Sequence, residues 1–199
     1  MMETAPMGFA PVSVMLGEAA ALLLALIFAR AALHKFGDAA RFTGVLADYQ
    51  LLPEGLAGKL ARVLPVIEIA LAAGLVAGAA SPLLRTLSAL AAIALLAIYA
   101  AAIGANLLRG RYWIDCGCGG APESLSWWLV GRNTLFVSAG LLAATTPVPP
   151  MGWGGHAAAA AVALLAFACI VGAEQALAND RLIRRRRAEA RSWIFGART

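Results

Sequence analysis

The sequence predicts an all-α protein, a polytopic transmembrane bundle of about five spans with a four-helix core and a C-terminal span. Of its 199 residues, 61% are apolar and only 14% are charged, against about 45–50% and about 25% in soluble domains. Five stretches are apolar over the roughly 20 residues that a membrane-spanning helix needs. Lys and Arg are concentrated in alternate connections, as in multi-pass proteins. This composition excludes a soluble enzyme.

We expect the spans at roughly 13–33, 60–80, 83–107, 125–147 and 156–178, followed by a basic tail at 179–199. The residues before the first span contain Glu3 and no Lys or Arg, unlike the basic start of a cleaved signal peptide. Ser81 and Pro82 leave only a tight turn between the second and third spans. Because no repeat or linker interrupts this pattern, residues 1–199 are interpreted as a single integral membrane domain.

The basic residues predict how the bundle is oriented. Fifteen of the sixteen fall on one side, in the first loop, the third loop and the tail with its Arg184–Arg187 cluster, and only Arg85 falls on the other. Cytoplasmic loops are enriched in Lys and Arg, so we expect the N-terminus outside and the C-terminus in the cytoplasm of a bacterial inner membrane. Such a tail typically faces membrane lipid, and no nucleic-acid partner is expected.

The segment with the clearest chemistry is a pair of cysteines, Cys116 and Cys118, separated by one glycine in the third loop. Two thiols at this spacing can close a small disulfide ring, whose strain should make it comparatively oxidising. Arg109 and Arg111 would favour the reactive thiolate, and Asp115 would oppose it. We interpret the pair as a redox-active dithiol. A half-site for a soft metal such as Cu(I) and an inert turn are the alternatives.

Glu68 lies about eight residues into the second span, where a carboxylate is costly and is normally paired or lines a cavity. Its candidate partners on the same side of the bundle are His34, Lys35 and Arg132. Two hypotheses stay open: a proton-accepting or substrate-facing acid, and a structural ion pair that joins spans one, two and four. Arg132, which Asn133 follows, could also reach back toward the cysteine loop.

Other polar or reactive side chains are interpreted as structural. Cys169 lies deep in the fifth span and is expected to be a buried packing residue. His156 adjoins a Gly-rich loop and is assigned no role. Trp113 and the Trp127–Trp128 pair bracket the cysteine loop, as expected of a membrane-interface belt. Asn106, at the end of the third span, could hydrogen-bond this loop.

Several stretches of the chain match a known family. They are Ala32–Phe36 with Asp38, Leu46–Pro53, Leu64–Glu68, Asn106–Cys118 and Gly131–Asn133. Through them the chain resembles the methylamine utilisation proteins MauE, within the wider MauE/DoxX group of small redox-associated membrane proteins. The Cys-Gly-Cys with its upstream Arg-Gly-Arg and downstream Arg-Asn is the specific part. Family members often have Phe after the second cysteine, where this chain has Gly119 and Gly120.

The resemblance implies a role in maturing methylamine dehydrogenase, whose periplasmic small subunit carries a tryptophan tryptophylquinone cofactor and many disulfides. MauE-like proteins are thought to form or sort these disulfides together with a thioredoxin-like partner of the MauD type. Cys116 and Cys118 would then be the catalytic pair of a thiol–disulfide oxidoreductase. The resemblance does not firmly imply any cofactor, although a quinone is a candidate, and no metal ligand is expected among the site residues. Family positions without an assigned role correspond here to His34, Lys35, Glu68 and Arg132.

The charge pattern and the resemblance disagree about location. Charge places the dithiol at the cytoplasmic end of the bundle, whereas the implied client lies outside, so the direction of electron flow stays open. Two rival functions also stay open: a non-catalytic scaffold that anchors the thioredoxin-like partner, and a soft-metal carrier that uses the two thiolates.

Overall fold

The chain forms a bundle of α-helices. A computed structural model describes residues 12–53, 55–118, 123–148 and 152–196. Within these ranges there are six helices and no strand. The helices are α1 (Val12–Gly37), α2 (Ala39–Asp48), α3 (Leu56–Ala77), α4 (Pro82–Leu108), α5 (Trp127–Thr145) and α6 (Trp153–Gly196). The predicted all-α, polytopic helical fold is confirmed.

Among the described residues, four helices are long and apolar enough to cross a membrane: α1, α3, α4 and α6. They correspond to the first, second, third and fifth predicted spans. The predicted fourth span coincides with α5, which has 19 residues. Arg132 and Asn133 lower the hydropathy of α5, and its crossing of the bilayer stays a prediction.

Two elements differ from the expected pattern. The first connection contains the ten-residue helix α2, which is too short to span a bilayer and was therefore not predicted. Its N-cap is Asp38, whose side chain accepts a hydrogen bond from the Arg41 amide at 3.0 Å. Phe42 and Val45 form its buried face. The second element is α6, which continues past the predicted fifth span as far as Gly196. Most of the predicted basic tail at 179–199 is therefore part of this helix.

The helix α1 lies in the middle of the bundle. It packs against α3, α5 and α6, while α4 packs against α3 and α5. The core between them combines large side chains such as Leu24 and Phe28 with Ala32, Ala89 and Ala92, all of which are at most 2% exposed. Small residues allow the backbones of membrane helices to approach closely, which supplies packing contacts where no hydrophobic drive exists.

The two ends of the bundle carry different polar groups. At the dithiol end, where α1 and α4 end and α3 and α5 begin, lie α2 and the cysteine loop (residues 109–126). At the opposite end, Glu18 and Arg85 are buried. His156 Nδ1 lies 2.6 Å from Glu18 Oε1, a contact that joins α6 to α1. His156, to which the sequence assigned no role, therefore has a structural one.

The turn between α3 and α4 gives a test of this packing. A Cβ atom added at Gly78 would lie 2.7 Å from the Cα atom of Arg85. We expect Gly78→Ala to destabilise the protein by about 1–3 kcal/mol, because the overfilled contact is with backbone. Gly104→Ala is the control, since nothing lies within 4 Å of its added Cβ. Thermal unfolding of the detergent-solubilised variants measures the difference. Equal unfolding midpoints for Gly78→Ala and the wild type would contradict the close approach of Gly78 to Arg85.

Candidate redox site

The two loop cysteines, Cys116 and Cys118, are joined by a disulfide. Backbone hydrogen bonds close the loop around it. The Cys116 amide donates to the Glu123 carbonyl at 2.8 Å, and the Leu125 amide donates to the Ile114 carbonyl at 3.0 Å. The disulfide thus lies beside backbone hydrogen bonds that join residues 114–116 to residues 123–125. Gly119 and Gly120, the positions that depart from the family pattern, lie outside the described residues.

Asp115 holds the loop against α2. One of its carboxylate oxygens accepts hydrogen bonds from the Gly117 amide at 3.2 Å and the Glu123 amide at 3.4 Å. The other oxygen pairs with Arg41, which the sequence analysis did not single out. Gly117 has a φ of +68°, and an added Cβ would lie 2.8 Å from Val45 Cγ1. Only glycine fits both the left-handed backbone and this close approach.

Tyr49, which follows α2, binds the backbone of the cysteine loop. Its hydroxyl donates to the Cys116 carbonyl at 3.2 Å. Burial raises the pKa of this hydroxyl and the Asp115 carboxylate raises it further, so it stays protonated as a donor at neutral pH. Arg111 Nη1 donates to the Tyr49 carbonyl at 3.4 Å and to Asn106 Oδ1 at 3.3 Å. These hydrogen bonds of Arg111 hold the loop in place, a role beyond the predicted thiolate stabilisation.

The two sulfur-bearing residues differ in exposure. Cys116 is 9% exposed and counts as buried, whereas Cys118 is partly exposed. Both line an open groove of about 240 Å³ between the loop and the α1–α2 corner. Cys118 is therefore the more accessible residue of the pair. The polar side chains of the groove are His34, Lys35, Asp38, Arg41, Asp115 and Glu123.

Beside the groove lies a buried charge cluster. Lys35 Nζ donates to Glu68 Oε1 at 2.6 Å and to Oε2 at 2.9 Å, and the Tyr99 hydroxyl donates to Oε1 at 2.8 Å. The Lys35 and Glu68 side chains are 4% and 0% exposed. Of the three predicted partners of Glu68, the structure selects Lys35. Tyr99 gave no signal in the sequence, because an aromatic residue in an apolar span is ordinary.

Arg132, another of the candidate partners of Glu68, contacts a different carboxylate. Arg132 Nη1 instead donates to Glu174 Oε1 at 2.7 Å, and Arg30 Nη1 donates to Glu174 Oε2 at 2.6 Å. This arrangement ties α5 and α1 to α6. Arg132 is nevertheless close to the site, because one cleft of about 50 Å³ is bordered by all of these groups. Its polar lining comprises Arg30, Lys35, Glu68, Tyr99, Cys118, Arg132, Asn133 and Glu174.

The remaining predicted residues lie away from these hydrogen bonds. Arg109 and His34 are exposed, the latter in the groove. Asn133 is buried, and its Nδ2 atom has no hydrogen-bond partner within the described part of the chain.

The prediction that Cys169 is buried is wrong, because its thiol is free and exposed on α6. Over the described ranges, no three His, Cys, Asp or Glu side chains cluster closely enough to hold a metal ion.

Comparison with known proteins extends these observations. The profile of the family described as methylamine utilisation protein MauE matches residues 13–146. The chain belongs to the MauE family. It is 44% identical over 126 residues to the methylamine utilization protein MauE of Paracoccus denitrificans, which is 62% of this chain and 66% of that relative. It thus spans slightly less than two thirds of this relative's length.

Other members of the MauE family are similar to the same degree. Identity is 40% over 130 residues to the protein of Methylorubrum extorquens, with 64% of this chain and 68% of the relative covered. It is 42% over 136 residues to the protein of Paracoccus versutus, with 67% and 70% covered. No solved structure matches the chain. The family match includes α1 to α5 with the cysteine loop, and α6 lies beyond it.

The buried pair can be tested by substitution. Glu68→Ala leaves the Lys35 ammonium buried without its carboxylate, and breaking such a pair costs about 3–5 kcal/mol in soluble proteins. We expect a sharp loss of thermal stability in detergent for Glu68→Ala and a smaller loss for Glu68→Gln, whose amide oxygen still accepts from Lys35. The double variant Lys35→Met/Glu68→Met should recover most of the thermal stability that Glu68→Ala loses, because no buried charge is then left unpaired. A wild-type unfolding midpoint for Glu68→Ala would refute this role.

Proposed function

We propose that this chain is a membrane thiol–disulfide redox protein that supports maturation of the methylamine dehydrogenase small subunit with a thioredoxin-like partner of the MauD type. The observation that carries the proposal is the Cys116–Cys118 disulfide in the open groove, with Cys118 the more exposed of the two residues. The relatives' names, which assign them to methylamine utilization, support the metabolic context. The Cys116–Cys118 disulfide supports thiol–disulfide exchange as the reaction.

The exchange proceeds in two displacements. A thiolate of the partner attacks the sulfur of Cys118, a new S–S bond forms between the two proteins, and Cys116 leaves as a thiolate. The partner's second thiolate then attacks its own sulfur in this mixed disulfide and releases Cys118. The partner ends as a disulfide, and this chain ends with two thiols after taking up two protons. Two electrons have therefore passed from the partner to this chain.

The loop contacts prepare the site for this sequence of steps. Tyr49 and the Glu123 carbonyl bind the backbone of Cys116, and Asp115 binds the amide of Gly117. These hydrogen bonds involve no sulfur atom, so they persist when the disulfide opens. Cys116 is therefore held next to Cys118 in the reduced state, ready to reform the bond.

Single-serine variants test the proposal. Because Cys118 is the more exposed residue, the wild-type disulfide should form a mixed disulfide at Cys118 with a partner variant that keeps only its attacking cysteine, since that variant lacks the thiolate that resolves it. Cys116→Ser and Cys118→Ser have no disulfide for the partner to attack and should form none. Both serine variants should abolish maturation of the client, since neither can form the Cys116–Cys118 disulfide that accepts electrons from the partner. Cys169→Ser is the matched control and should behave as wild type. Non-reducing electrophoresis with mass spectrometry identifies the attached protein, and client activity is measured in parallel.

The rival functions give different outcomes in this experiment. If both serine variants still support a fully active client, the dithiol is dispensable and the chain is a scaffold for its partner. A soft-metal carrier would lose bound Cu(I) in each serine variant, and its wild-type form would accumulate no mixed disulfide with the single-cysteine partner.

We also propose that the chain is an inner-membrane protein with its N-terminus outside and its C-terminus in the cytoplasm. Fifteen of the sixteen basic residues, including the Arg184–Arg187 cluster, favour this orientation. A reporter fused after residue 199 should therefore give a cytoplasmic signal. A reporter inserted between α5 and α6, at residue 150, should give the opposite signal and serves as the control. A periplasmic signal from the C-terminal fusion would place the cysteine loop outside.

A further inference from the structure

The disulfide also forms part of the wall of a second cavity. This apolar cavity has a volume of about 360 Å³, within the range of roughly 300–1,000 Å³ that is usual for small-molecule sites. Apart from the disulfide, its non-aliphatic lining includes Lys35, Tyr49 and Tyr99. Its aliphatic lining on the membrane helices α3 and α4 includes Leu60, Leu64, Ile67, Leu95, Ile98 and Ala102.

The cavity borders the surface that faces lipid. Ile67 of α3 and Ile98 of α4 line it and are 41% and 62% exposed, so the cavity opens to the surface of the bundle between these two helices. Both helices are long and apolar enough to cross the membrane. A molecule that enters between these two side chains therefore comes from the bilayer and must itself be soluble in lipid.

Lys35 is the charged side chain in the wall of this cavity. An ammonium group has three N–H donors, and Glu68 accepts two of those of Lys35. The third donor has no hydrogen-bond acceptor among the described residues, and Nζ lies 5.2 Å and 5.6 Å from the centroids of the Phe42 and Tyr99 rings, which also line the cavity. Such a site suits a flat apolar ring with a carbonyl oxygen that accepts the hydrogen bond.

We infer that this cavity binds the ring of a lipid-soluble quinone, which is the two-electron acceptor that reoxidises Cys116 and Cys118. The inference rests on the proposed function, because repeated exchange with a dithiol partner requires an oxidant. In the step, the two S–H bonds are lost and the S–S bond forms. Two electrons and two protons pass to the two carbonyl oxygens, which gives the hydroquinone. Lys35 stabilises the negative charge that develops on the nearer oxygen.

A phospholipid acyl chain is the other molecule that could enter from the bilayer. It has no acceptor for the free Lys35 donor and takes no electrons from a dithiol. The quinone uses both the donor and the adjacent disulfide, so the observations favour it.

The experiment uses the full-length protein in detergent, reduced and then separated from the reductant. The probe is decylubiquinone, whose ring has no unsubstituted carbon to which a thiol could add. We expect quinone absorbance to fall in step with the loss of the Cys116 and Cys118 thiols to alkylation, while the free thiol of Cys169 stays alkylatable. Ala102→Phe should fill the cavity and slow this reaction about tenfold or more. Ala101→Phe is the control, because Ala101 is exposed on the same helix and does not line the cavity.

Binding is measured separately in the Cys116→Ser/Cys118→Ser double variant. Decylubiquinone should quench the intrinsic fluorescence of this variant saturably, but the variant should not reduce the quinone. Absence of saturable binding, as expected for a cavity that holds only acyl chains, would overturn the inference. So would equal rates for Ala101→Phe and Ala102→Phe.

The two proposals can fail independently. If the wild type exchanges disulfides with its thioredoxin-like partner but is not oxidised by decylubiquinone, the quinone site is refuted and the proposed function stands. If decylubiquinone oxidises the dithiol and Ala102→Phe blocks this reaction, while no exchange with the partner occurs, the quinone site is supported and the proposed function fails.

Discussion

The hydrogen-bonded ion pair between Lys35 and Glu68 is the interaction on which the arrangement of the dithiol end depends. Unpaired charges are costly within a membrane, so the end of α1 must meet α3 at this point. Tyr99 adds α4 to the same carboxylate. The position of α1 then determines where Asp38 begins α2, and α2 supplies Val45 and Arg41 to the cysteine loop. The location of the disulfide therefore follows from one buried pair.

The disulfide lies between two environments that differ in polarity. The open groove is lined by charged side chains and suits a protein thiolate, which reacts as an anion. The apolar cavity is lined mainly by aliphatic and aromatic side chains and borders lipid. Cys116 and Cys118 line both. A site with this arrangement can connect the thiol chemistry of a protein partner with a redox molecule dissolved in the bilayer.

Polar contacts also attach the C-terminal helix, which lies beyond the family match. At the dithiol end, Glu174 of α6 binds Arg30 and Arg132. At the opposite end, His156 binds Glu18. Because apolar surfaces gain little by associating within lipid, such contacts determine where a helix is held in a membrane bundle. The α6 helix is thus fixed at both ends of α1.

The sequence by itself determined the helical membrane class, four of the spans, the unusual carboxylate at Glu68 and the cysteine pair. These follow from composition, apolar length and local spacing, which need no knowledge of neighbours in space. The partner of Glu68, the Arg41–Asp115 contact and the exposure of Cys169 were decided only by the tertiary structure. Lys35 and Arg132 are equally basic in sequence, and only the rotation and packing of α1, α3 and α5 determine which of them reaches Glu68. The cavity beside the disulfide likewise exists only because α2, α3 and α4, separated along the chain, meet there.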